Sequence, residues 1–70
     1  MDRVVVTSTS VVEIGYEPAS GTLEVLFRNG ARYRYFDVPA EEHEALLAAE
    51  SIGTYVNRRI KPAYRCEEVG

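Results

Sequence analysis

The sequence predicts an α+β fold: a three-stranded antiparallel sheet made of two hairpins, followed by one α-helix and a second short helix packed on one face. Three observations carry that expectation. Thr22–Arg28 alternates cleanly, with Leu23, Val25 and Phe27 on one side and Thr22, Glu24 and Leu26 on the other, as a half-buried strand does. Asn29-Gly30 follows it as a turn. Pro39, then Glu41 and Glu42, opens a helix: the ring needs no N–H in the first turn, and the acids complement the positive end of the dipole.

Length and composition agree with one domain. The chain has 70 residues, 46% hydrophobic and 27% charged, the mix of a globular domain rather than a disordered one. The core is expected over about residues 9–65, with flexible ends. Val11–Tyr16 is the first strand, rich in β-branched residues and closed by Glu17-Pro18-Ala19-Ser20-Gly21. Ala31–Phe36 is the third.

Register across the second hairpin follows from the side-chain pattern. A two-residue Asn-Gly loop would pair Phe27 with Arg32 and mix apolar and charged groups on each face. A three-residue loop, Arg28-Asn29-Gly30, pairs Val25 with Tyr33 and Leu23 with Tyr35 on one face and sets Leu26 opposite Arg32 and Glu24 opposite Arg34 on the other. The three-residue loop is therefore expected, with Gly30 left-handed. The first helix runs to about Glu50, Ser51 and Gly53 restart the chain, and Thr54–Ile60 forms the second helix, ended by Pro62.

The chemistry the sequence excludes is broad. One cysteine, Cys66, and one histidine, His43, leave no disulfide framework and no zinc-ligand set, so no metal or cofactor is expected. No phosphate loop or nucleophile elbow is present, and no base lies beside Cys66 in sequence, so the chain is expected not to be an enzyme. His43 sits on the helix face that meets the sheet and is expected to be partly buried and hydrogen-bonded. No apolar run is long enough to span a membrane, and a reducing cytoplasm is the expected location.

Charge is segregated. Eight bases against eleven acids give −3, yet Asp37–Glu50 holds five acids and no base. Arg28, Arg32 and Arg34 precede that stretch, and Arg58, Arg59, Lys61 and Arg65 follow it. Such blocks either keep a small domain in solution or make a local patch for an anion. Tyr33 and Tyr35 share a face, inward in the expected register. Two readings stay open for them, core aromatics with hydroxyls at the rim or a platform for bases.

The joint spacing of Ile14-Gly15-Tyr16, of Leu23-x-Val25-x-Phe27-x-x-Gly30-x-x-Tyr33-x-Tyr35-x-x-Val38-Pro39, and of Ser51-x-Gly53-x-Tyr55-x-Asn57-x-x-Ile60-Lys61-x-x-Tyr64 resembles the KTSC domain family. That family takes its name from the C-terminus of some lysyl-tRNA synthetases and also occurs as free-standing small bacterial proteins. The resemblance covers Thr9–Arg65, and the family's central Tyr-x-Tyr matches Tyr33-Arg34-Tyr35. His43 stands where the family pattern is expected to carry an aromatic such as Tyr.

Two roles follow. The synthetase context implies an RNA-binding module for tRNA or single-stranded RNA, with Arg32, Tyr33, Arg34, Tyr35, Arg58, Arg59, Lys61, Tyr64 and Arg65 as candidate contacts. The alternative is a protein-interaction or self-assembly module, because a short sheet leaves an exposed edge and one uncovered face.

Overall fold

The computed structural model describes residues 1–70. A five-stranded antiparallel meander, ordered β1-β2-β3-β4-β5, is built from β1 (Asp2–Val5), β2 (Val11–Glu17), β3 (Thr22–Phe27), β4 (Arg32–Tyr35) and β5 (Cys66–Glu68). Helix α1 (Ala40–Ala48) and helix α2 (Ile52–Tyr55) lie between β4 and β5, and α2 continues into a π-helical turn, Val56–Ile60. The α+β class and the helices on one face are as expected. The sheet is wider by two strands.

Both extra strands fall in the segments expected to be flexible ends. Neither announces itself in sequence: Asp2–Val5 mixes charge with a short apolar run, and Cys66-Glu67-Glu68 carries two acids. All seven of their residues are exposed, so they are held by ladder hydrogen bonds to β2 and β4 rather than by burial.

The second hairpin has the expected register. Leu23 pairs with Tyr35, Glu24 with Arg34, Val25 with Tyr33 and Leu26 with Arg32. The Phe27 N–H donates to Ala31 O at 2.9 Å, and Gly30 takes φ +91°. One bulge, at Val12 between Val11 and Glu13, brings Val11 back to the core side of β2.

The core holds Val11, Ile14, Tyr16, Leu23, Val25, Tyr35, Val38, Leu46, Ile52, Val56 and Ile60. Tyr16 links sheet and helix. Its hydroxyl donates to Val38 O at 2.6 Å, and its ring stacks on His43 of α1 with centroids 4.3 Å apart. His43 is half-buried as expected, but the stack, not a hydrogen bond, is what holds it. Burial holds its imidazole below the ordinary value, with Glu44 opposing.

Helix α1 stops earlier than Glu50. Ala49 is already extended, and Ser51 caps the next helix, its side chain accepting from the Thr54 N–H at 3.3 Å. In the π turn the Lys61 N–H reaches back to Val56 O at 2.8 Å. The wide turn buries Val56 and Ile60 and leaves Asn57, Arg58 and Arg59 exposed between them.

Gly30 sets the register, and its substitution isolates the backbone cost. A Cβ there would meet nothing within 4 Å, so Gly30→Ala carries only the penalty of a left-handed conformation. Urea denaturation should show a loss of about 1–2 kcal/mol. An unchanged midpoint would mean the turn can relax to negative φ.

Candidate nucleic-acid interface

The candidate contacts divide into three places. Tyr33 and Tyr35 lie on the inner face of β4. Tyr35 is 1% exposed in the core, and burial, with Cys66 and Tyr33 adding to it, pushes its hydroxyl up to about 12. Tyr33 is half-buried, edge-to-face against Phe27 with centroids 5.8 Å apart. A buried ring has no free face for a base, so Tyr35 leaves the candidate set, and Tyr33 offers only part of its ring. The core reading of the pair is the one the packing satisfies.

Arg32 and Arg34 lie on the outer face of the sheet, around a buried carboxylate. One row crosses all five strands: Arg3 beside Gly15, then Glu24, Arg34 and Glu67. Arg3 Nη1 reaches across to Glu24 Oε2 at 2.5 Å, while Arg32 Nη1 lies 3.3 Å from Glu24 Oε1 and 3.8 Å from Glu13. Gly15 permits this crossing. A Cβ there would sit 2.7 Å from Met1 Sδ and 3.4 Å from Arg3 Cγ.

Glu24 is only 2% exposed on a face that no helix covers. Burial pushes its carboxyl up, but the hydrogen bonds and charges of Arg3 and Arg32 outweigh that and hold it below the ordinary value. Arg34 Nε lies 4.0 Å from the same carboxylate, buried and without a hydrogen bond. Arg32 and Arg34 thus serve the sheet, each within 4.0 Å of the Glu24 carboxylate.

Arg58, Arg59, Lys61 and Arg65 form the third group. All four are exposed and none makes an ion pair. Three of them sit over rings: Arg59 Cζ is 5.6 Å from the centroid of Tyr55, Lys61 Nζ 5.3 Å from Phe27, and Arg65 Cζ 5.3 Å from Phe36. Arg28, next to Phe27, donates from Nε to Ser8 O at 3.0 Å and likewise has no carboxylate partner.

A carboxylate clasp fixes the underside of this group. Glu42 of α1 accepts one hydrogen bond from the Tyr55 hydroxyl and another from Tyr64 at 3.0 Å. The Tyr55 hydroxyl is raised by its hydrogen bond to Glu42, the Tyr64 hydroxyl by burial and then by the same carboxylate. Tyr64, a candidate contact, is half-buried and engaged in this clasp.

The residues that sequence reasoning did not tie to this site were Arg3, Glu42, Tyr55 and the ring of Phe27. The Tyr55–Arg59 pair lies at i, i+4, a helical spacing that could have found it.

The family model described as KTSC domain matches residues 7–64. The chain belongs to the KTSC domain family. An uncharacterized protein of Stutzerimonas stutzeri is 45% identical to it over 64 residues, covering 91% of this chain and 90% of that one. A crystal structure of a KTSC domain protein from Yersinia pestis superposes with a TM-score of 0.94 at 33% identity, covering 99% of this chain and 97% of the other. A lysine–tRNA ligase of a Nostoc species is 39% identical over 54 residues, which cover 77% of this KTSC chain and 10% of the ligase.

The buried carboxylate of this KTSC domain yields a pH prediction. Its folded-state value is depressed, so its stabilisation is complete above the ordinary value of 4.5 and is lost as pH falls through the lower folded value. Glu24→Gln should cost about 2–3 kcal/mol at neutral pH, below the range for a fully buried pair because the arginines stay partly hydrated. Urea midpoints across the acid range should fall less steeply for the variant than for the parent. Parallel profiles would place the acid sensitivity elsewhere.

Proposed function

We propose that this KTSC domain is a non-catalytic RNA-binding module of the bacterial cytoplasm that docks phosphates through Arg58, Arg59, Lys61 and Arg65. The observation that carries the reading is the division of charge. Arg3, Arg32 and Arg34 are gathered around Glu13 and Glu24, whereas the four cations of the C-terminal segment have no carboxylate partner. Exposed arginine and lysine side chains of this kind can meet a phosphate without first breaking an ion pair.

The similarity to part of a lysine–tRNA ligase supports RNA, tRNA included, as the class of ligand. A net charge of −3 does not oppose it, because docking depends on the local field. The exposed free thiol of Cys66 suits a reducing compartment.

A second reading rests on the edge of β1. Val5 is 76% exposed and Val4 46%, on an edge strand with no Pro to block pairing. Strand addition by a protein partner or a second copy fits that edge. Sedimentation at rising concentration should show association that Val5→Lys abolishes if a second copy is the occupant, and a constant monomer mass would exclude self-pairing.

Binding of single-stranded RNA followed by fluorescence anisotropy tests the main reading. With three or four phosphates neutralised, log K should fall with log salt at a slope of about −2 to −3, and Arg58→Gln with Lys61→Gln should reduce that slope by about 1.4. A flat salt dependence, or a slope unchanged in the double variant, would overturn it.

A further inference from the structure

We propose that Arg59 and Arg65, whose charge still counters phosphate, are also base-stacking platforms, so that the RNA taken at this end is a single strand with unstacked bases rather than a duplex. The inference rests on the RNA reading above and goes beyond it by assigning different work to cations that look alike in sequence.

The difference lies in shape and support. Arg59 lies over Tyr55, whose hydroxyl is tied to Glu42, so the ring beneath the guanidinium is fixed by a neighbouring helix. Arg65 lies over Phe36, and the Phe36 N–H donates to Arg65 O at 2.9 Å, which ties the ring and its cation into one unit. In each pair the aromatic is half-buried and the arginine exposed. A base approaching from solvent therefore meets the guanidinium before the ring.

A guanidinium is planar and weakly hydrated, so one held over a ring on its inner side can receive a second flat group on its solvent side. Bases stack on arginine planes as they do on aromatic rings, provided they are free of their own neighbours. A duplex keeps its bases stacked inside and offers only phosphates. Lys61, over Phe27, and Arg58, over no ring, remain point contacts for the backbone.

Replacing the plane while keeping the charge separates the two kinds of contact. Arg59→Lys with Arg65→Lys retains both cations at exposed positions, and circular dichroism should show an unchanged fold. The parent should bind an oligouridylate more tightly than an RNA duplex of equal length. The double variant should lose about tenfold in affinity for the oligouridylate, the scale of a stacking contact of about 1–3 kcal/mol per base, while its salt slope and its duplex affinity hold.

In the parent, the Nε–H resonances of Arg59 and Arg65 should move upfield with oligouridylate and stay in place with duplex. Equal binding of the single strand by parent and double variant, with salt dependence intact, would overturn the stacking role alone. Binding of neither RNA by the parent, even at low salt, would overturn the RNA reading and this inference together.

Discussion

A carboxylate buried on the open face of the sheet is the constraint from which the rest of this molecule follows. Helices cover only one side of the five strands, so the other side must exclude water by its own side chains or leave the central ladder wet. The chain places Glu24 at the middle strand and closes over it with Arg3, Arg32 and Arg34. An isolated carboxylate at 2% exposure would be untenable. Arg3 and Arg32 keep it stable in charged form, with Arg34 alongside at 4.0 Å.

That solution fixes the two strands on either side. Arg3 belongs to β1, which contributes little apolar burial, and its bond to Glu24 spans the intervening strand over Gly15, where Met1 also packs closely. A larger residue at Gly15 would first displace Met1, at the start of an edge strand whose residues are all exposed. On the other side, Arg34 lies between Glu24 and Glu67, in line across β4 and β5. Both edges of the sheet thus border one electrostatic row.

The parts of the fold legible in sequence were those fixed by periodicity. Alternation in Thr22–Arg28 and the left-handed glycine after Asn29 led to the register of the second hairpin, and that register already set Glu24 opposite Arg34. The strands at either end were not legible, because Asp2–Val5 and Cys66–Glu68 bury nothing and so impose no pattern. Without β1 there was no Arg3, and without Arg3 the pairing of Glu24 and Arg34 looked like an isolated cross-strand contact instead of a buried cluster. The candidate site suffered from the same gap. Arg32 and Arg34 counted as free charge, and Tyr33 and Tyr35 as an open choice, until the sheet was complete.

Seen as one distribution, the charges explain how an acidic chain can present a basic end. The acids of Asp37–Glu50 are mostly on or beside α1; Glu50 borders the cleft of Arg58 and Arg59 without an ion pair, and Glu42, which touches the C-terminal segment, is occupied by two tyrosine hydroxyls. A phenol donates without bringing positive charge, so it satisfies the carboxylate and leaves Arg58, Arg59, Lys61 and Arg65 unpaired. Had arginines filled that position, the segment would close on itself as the sheet face does. The same residue types therefore give a closed, structural cluster on one side and an open one on the other. What separates them is whether the acid within reach is bound by guanidinium or by tyrosine.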